Sequence, residues 1–371
     1  MKKKILISVV LFVMICLFSG KVFASDIASN NIELRTNTLL IELFDDISKS
    51  TSKKVSNIKT AFDFDGNEYK VVEGSPHGYL IFSVNTGVVV EYSSNSISPF
   101  YKLKGELYYG GPTFYYTQMD NYINHTIIQE NHHINQLDNF KISSRVLNDA
   151  LYQMKDTVIL DYINQGIKRS DQIMDKSSST GTVENPEFYE NLDNFGAMSG
   201  DVCGFIGLNM LIAYHDKYKN ESGEDIMDDI FWTDTTKTGL NSGNESLSKY
   251  LYDLDPKDGT TSVHIHNVMQ QYSSERNLSY NHTSRYKPFY TIATVTIAID
   301  RNTPVEVFGS LDSPSSKGDV NHAVVVYGYK TYKNFLGIVY KADYTAHFGW
   351  SGYNSVVITG IIGSIYFFEN E

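Results

Sequence analysis

Cysteine is scarce in this chain. Two are present among 371 residues, and one of them, Cys16, falls in a segment with the make-up of an export signal. If that segment is removed, Cys203 stands alone and no internal disulfide is possible, so stability has to come from a packed core. Long apolar runs are missing after the N-terminus, which leaves no candidate for a membrane-spanning helix. Clustered Lys and Arg with interleaved aromatics are missing too, which argues against a nucleic-acid binder. There is no His-Glu-x-x-His, no Gly-x-Ser-x-Gly and no phosphate-cradling glycine loop, so zinc-peptidase, serine-hydrolase and nucleotide chemistry lack their usual supports. No metal and no cofactor is expected.

The ends and the composition frame what is present. Lys2, Lys3 and Lys4 precede an apolar stretch, Ile5 to Phe18, and Val22-Phe23-Ala24 offers a cleavage end. Residues 1–24 are therefore expected to be a signal peptide, and the mature protein to be secreted, extracellular or associated with the cell wall, with no membrane attachment. The formal charge is −12, and loss of Lys2, Lys3, Lys4 and Lys21 takes it to −16. With 42% hydrophobic residues the remaining 347 positions can fill the cores of two domains.

Patterning divides the chain. Asn31 to Ser56 reads as helical from Leu39, Leu40, Leu43, Phe44 and Ile47. A run of strands follows: Thr60 to Phe64, Asn67 to Glu73, Gly78 to Ser83, Val88 to Ser93, Ser98 to Tyr101 and Leu107 to Pro112, with Asp65-Gly66 and Asn85-Thr86-Gly87 as hairpin turns. Asp63, Asp65 and Asn67 share the opening spacing of a calcium loop. The glycine comes too early and the distal glutamate is missing, so the hairpin reading is preferred. Residues 117–175 are polar with helical spacing, and their adjacent His132 and His133 would diverge on a helix. Lys176 to Pro186 has the composition of a linker. The expected domains are a small antiparallel α+β pro-region or accessory unit over 25–175, a linker over 176–187 and a second unit over 188–371. Within the last, a helix from Cys203 to about Tyr218, helices at Leu247–Leu254, Val263–Asn277 and Thr294–Ile299, and strands at Pro304–Phe308, His322–Tyr329, Leu336–Ala342, Ser355–Thr359 and Ser364–Phe368 are expected.

Chemistry gathers around the thiol. Cys203 opens a helix as Cys-Gly-Phe-Ile, where the uncompensated amides and the positive dipole end favour thiolate. A thiolate nucleophile needs a proton carrier. Among ten histidines, His322 stands out because it precedes a continuous apolar run, Ala323 to Tyr327, at the end of a long polar loop.

The order Cys-Gly, Pro-Val-x-Val, Asn-His-Ala-Val-Val-Val-Tyr-Gly-Tyr and Phe348-Gly349-Trp350-Ser351-Gly352-Tyr353 resembles the papain-like cysteine peptidases, in particular their bacterial streptopain-like branch, over about 190–371. The resemblance implies an α+β papain-like catalytic domain: a helical half plus an antiparallel sheet, preceded by a pro-region that acts as an intramolecular inhibitor until it is cut away, most simply between Ser177 and Asn185. It makes Cys203 the nucleophile and His322 the base, and places Trp350 as a shield. It also implies protein or peptide substrates and a secreted endopeptidase precursor that is monomeric.

Two positions depart from that pattern. The glutamine that completes the oxyanion site, six residues before the cysteine, is replaced by Ala197, leaving Asn194 or Ser199 as substitutes. The asparagine that orients the imidazole is replaced by His347, with Asp343 as the other candidate. The alternative these departures support is a catalytically impaired secreted binding protein with the same fold. Acyl transfer to an amine through the same thioester is a third chemistry that the residues do not separate from hydrolysis.

Overall fold

The computed structural model describes residues 40–41, 44, 54–63, 66–84, 88–113, 115–119, 122–125, 178–198, 202–219, 225–257, 260–287, 292–309, 323–333, 339–359 and 363–370. The expected signal peptide lies outside these residues, as does most of the helical stretch expected over 117–175; its start is instead strand, at Tyr115–Met119 and Tyr122–His125.

Among the described residues the N-terminal part supplies seven strands: β1 (Lys54–Phe62), β2 (Glu68–Ser75), β3 (Tyr79–Ser83), β4 (Val88–Ser93), β5 (Leu107–Tyr109), β6 (Tyr115–Met119) and β7 (Tyr122–His125). Alternation of inward and outward residues explains two cores. Tyr69, Val71, Tyr79 and Ile81 join one, while Val72, Leu80 and Phe82 turn the other way onto Leu40 and Phe44. The hairpin between β1 and β2 is closed by Asp63, whose carboxylate accepts from the Asn67 backbone N–H and Nδ2 at 2.8 Å each, with Gly66 at φ 83°. The expected strand at Ser98–Tyr101 is instead a turn, closed by Tyr101 N–H donating to the Ser98 carbonyl at 2.9 Å. The helix expected to reach Ser56 gives way to β1 at Lys54.

The C-terminal part follows with β8 (Ser178–Thr182), α1 (Glu187–Glu190), α2 (Cys203–Tyr218), α3 (Leu247–Leu254), α4 (Ser262–Glu275), β9 (Tyr280–Lys287), α5 (Ile292–Asp300), β10 (Val305–Gly309), β11 (Ala323–Lys333), β12 (Val339–His347), β13 (Val356–Thr359) and β14 (Gly363–Asn370). The architecture is α+β. Thirteen strands run in the order β7-β6-β5-β1-β2-β3-β4-β13-β12-β11-β10-β14-β9, with β8 on β11. Nearly all described pairings are antiparallel; β1 with β5 is parallel. β11 is long enough to serve two strands along one side: β10 pairs with Ala323–Val326 and β8 with Gly328–Tyr332.

β8 corrects the expected linker at 176–187. Ser178–Thr182 is laddered to β11, Ser179 Oγ and Thr331 Oγ1 are 2.7 Å apart, and Val183 N–H donates to the Tyr327 carbonyl at 3.0 Å. The Ser/Thr/Gly composition that suggested a flexible joint suits a polar strand equally well. Gly181 is required because a Cβ there would lie 2.5 Å from the Tyr329 ring.

α2 is the central helix. From Gly204 to Asp216 every residue is buried, so it is enclosed on all sides rather than amphipathic. Two glycines let it press close to its neighbours. A Cβ on Gly204 would meet Thr260 Oγ1 at 2.0 Å, and one on Gly207 would meet Glu306 Oε1 at 2.2 Å. Tyr189 of α1 stacks between Tyr214 of α2 and Tyr327 of β11, with ring centroids at 5.4 and 5.0 Å. Among the described residues no helix is long and apolar enough to cross a membrane.

Candidate active site

Cys203 is the first residue of α2 and is half-buried as a thiol outside any disulfide. Its helix start carries no side-chain cap at Val202 and no acidic residue in the first turn. The positive end of the helix therefore meets no carboxylate of its own there, a setting that favours an anionic sulfur.

Two other segments close on that helix start. Gly204 lies against Phe308, whose Cε1 would be 3.1 Å from a Cβ at Gly204, and Phe308 is the ladder partner of Ala323, the first residue of β11. His322, directly before Ala323 in the chain, lies outside the described residues, as does Ser199. The third segment is the turn after β12. Gly349 at φ 69° would carry a Cβ 3.4 Å from Ile206 Cγ2, in the first turn of α2. This turn is closed by Phe348 N–H donating to the Tyr353 carbonyl at 2.9 Å and Tyr353 N–H to the Trp350 carbonyl at 3.1 Å. Trp350 is half-buried among Phe348, Tyr353 and Tyr115, with centroids 5.9, 6.1 and 6.4 Å away.

His347, the expected orienting residue, spends both ring nitrogens on backbone groups. Its Nδ1 accepts from the Gly349 N–H at 2.9 Å, so Nε2 carries the proton and donates to the Leu192 carbonyl at 3.1 Å. No ring nitrogen is left to accept a proton from another imidazole. Complete burial pushes His347 down to about 4, with the Leu192 carbonyl opposing, so the ring is neutral near pH 7. It pins the Leu192–Phe195 segment to the Gly349 turn, with Phe195 at 5.5 Å.

Asp343, the other candidate, pairs with Lys330, seven residues along β11 from Ala323 and so roughly 23 Å of strand away. Its carboxylate accepts from Tyr332 and Thr359 hydroxyls at 2.6 Å each. Asn194 is exposed beside Gly239, its carbonyl accepting from Leu240 N–H at 2.7 Å, while the Ala197 carbonyl accepts from Gly243 N–H at 2.7 Å.

Two carboxyls with no exposed surface escaped the sequence reading. Glu306 of β10 is fully buried against Gly207, neither oxygen meets a hydrogen-bond donor among the described residues, and burial raises it far above the carboxylate range. Glu91 of β4 is equally buried. Both interrupt apolar strands, Val305-Glu-Val-Phe308 and Val88-Val-Val-Glu-Tyr92, and an acidic residue inside such a run was the available signal. Among the described residues no group of three His, Cys, Asp or Glu could hold a metal ion.

A mutant fragment of prointerpain A from Prevotella intermedia is similar to this chain. The match covers 84% of this chain and 98% of that one, at 11% identity and a TM-score of 0.35. That is too loose to carry residue roles across. No family model and no curated protein matches the sequence.

Proposed function

We propose that this chain is a secreted cysteine endopeptidase made as a precursor, with Cys203 as nucleophile and His322 as base. The carrying observation is the meeting of the α2 start with Phe308, the ladder partner of the residue that follows His322. Cys203 Sγ, as thiolate, attacks a peptide carbonyl carbon while the carbonyl oxygen takes the negative charge. The His322 imidazolium then gives its proton to the departing amine, the C–N bond breaks, and a thioester remains. Water adds to that thioester as His322 takes one of its protons, the C–S bond breaks, and an acid and the thiol are released. The backbone N–H of Cys203 contributes to the oxyanion site. The N-terminal sheet serves as the inhibitory pro-region, substrates are proteins or peptides, and the enzyme works as a monomer outside the cell.

One observation favours a second reading. Both nitrogens of His347 are committed to backbone, so that ring has no acceptor left to orient another imidazole, as in an impaired papain-fold binding protein. Alkylation of Cys203 decides between them. Rapid reaction well below the ordinary thiol pKa of about 8.5, slowed when His322 is replaced by Ala, is the peptidase outcome. Equal, slow rates in both proteins would overturn it.

A further inference from the structure

The N-terminal strands and the C-terminal strands meet at one described seam, where β4 pairs with β13 through Tyr92 with Val357 and Glu91 with Ile358. Ser93 Oγ donates across it to the Ser355 carbonyl at 2.9 Å, and Tyr353 Oη donates to the Ile97 carbonyl at 2.8 Å. The Tyr115 ring meets Trp350 edge-on. Glu91 stands in this seam with no exposed surface. It accepts hydroxyl hydrogen bonds from Tyr79 of β3 at 2.5 Å, Tyr109 of β5 at 3.1 Å and Tyr115 of β6 at 2.5 Å.

We propose that Glu91 and its tyrosine cage are a proton-operated latch, in which ionisation of the carboxyl loosens the N-terminal sheet from the Phe348–Tyr353 turn that rests on Ile206 of the Cys203 helix. The latch stands on the seam itself. It rests on the proposed function only in naming Cys203 as the group it controls.

The physical case is one of charge that meets no cation among the described residues. Among the described residues, the titratable groups that face Glu91 are Tyr79, Tyr109 and Tyr115 from the N-terminal strands and Tyr353 from the turn. Burial lifts all four tyrosines above their ordinary range, and they stay neutral across any working pH. Three O–H donors hold a carboxylate, but without a cation they do not offset its loss of water. Burial therefore raises Glu91 from 4.5 to about 7, with the three hydroxyls pulling it back only in part. The closed seam binds a proton that the opened seam gives up. Its contribution is complete below 4.5 and is lost as pH rises through about 7. Trp350, edge-on to Tyr115 and set on the turn that touches α2, reports the state of the seam.

The test uses the full chain with Cys203→Ser, which cannot cut itself, and Trp232→Phe, which leaves Trp350 as the only tryptophan of the two. Trp350 emission is followed from about pH 5.5 to 8.5, a range above the titration of His347. A single red-shifting step centred near 7 is expected. Glu91→Gln should abolish it and hold the low-pH emission. Tyr109→Phe, which removes one donor to the carboxylate, should move the midpoint upward by roughly one pH unit, and it serves if Glu91→Gln does not fold. A flat wild-type profile, a step that survives Glu91→Gln, or a midpoint that falls in Tyr109→Phe overturns the latch. Inert Cys203 in the alkylation experiment would overturn the peptidase reading and leave this step standing.

Discussion

Acid titration of stability gives a sharp check on the buried site, because two groups act with opposite sign. His347 is held neutral between the Leu192 carbonyl and the Gly349 N–H, and its titration is lowered from 6.5 to about 4. The unfolded chain takes up a proton in that interval and the folded chain does not. The ring's contribution is therefore present above 6.5 and lost as pH falls to about 4, a swing of roughly 3 kcal/mol. Glu91 runs the other way. Raised from 4.5 to about 7, it adds roughly 3 kcal/mol as pH falls through the same region. The two nearly cancel, so the parent protein should show little slope from these groups between pH 6.5 and 4.5. Removing one unmasks the other. In a Cys203→Ser background, Glu91→Gln should lose roughly 3 kcal/mol between pH 6.5 and 4, read as a falling midpoint in urea unfolding. Adding His347→Gln should lessen that loss by roughly 3 kcal/mol, and the difference between the two variants removes the groups common to both, buried His215 and Glu306 included. If Glu91→Gln keeps a level midpoint from pH 6.5 to 4, His347 does not hold the neutral, doubly bonded state described.

Two further outcomes follow from contacts around the central helix and β8. Gly207→Ala gains up to about 1 kcal/mol of helix propensity, but its Cβ would lie 2.2 Å from Glu306 Oε1 and 2.7 Å from Cδ, on a strand paired on both sides. Overpacking of about 1–3 kcal/mol should win, and Glu306→Ala in the same chain should restore stability to Gly207→Ala; a stabilised single variant would refute the close approach. Protease added to the folded chain should leave Ser178–Thr182 uncut, whereas Gly181→Val, which drives a side chain into the Tyr329 ring, should open that strand to cleavage. Equal cutting of both chains would show that β8 is not laddered as described.

What could be read from the residues was local. α2 starts at Cys203 and ends at Tyr218, and α3 spans Leu247–Leu254, as the spacing of their apolar residues predicts. Strands β10, β11, β13 and β14 fall where apolar runs bounded by polar loops place them. The misses are products of long-range pairing. β8 has a linker's composition and becomes a strand only because β11 extends beyond β10 and leaves a ladder edge open at Gly328–Tyr332. β9 is polar throughout and is defined by pairing with β14. Around Cys203, the converging segments were legible from their order in the chain. The commitments of His347 and Asp343 were not, since they depend on Leu192, Gly349, Tyr332 and Thr359.

The seam between β4 and β13 changes what removal of the N-terminal part would involve. An accessory domain on a flexible joint leaves its neighbour's surface intact when it goes. Here β13 has β12 on one side and β4 on the other, so departure of β4 bares a row of backbone donors and acceptors along Val357 and Ile358. It also takes Tyr115 from Trp350 and the Ile97 carbonyl from Tyr353. The turn that rests on the first turn of α2 therefore loses packing and a hydrogen bond in the same event that opens the sheet. Any chemistry at Cys203 is coupled to the N-terminal sheet through that turn, and the coupling runs through Glu91, whose carboxyl sits where the seam must part. A seam of only two described register pairs is weak as a ladder, and its strength resides in the buried tyrosines behind it. This is why a single proton there can decide between closed and open, where the same proton on the surface of either half would decide nothing.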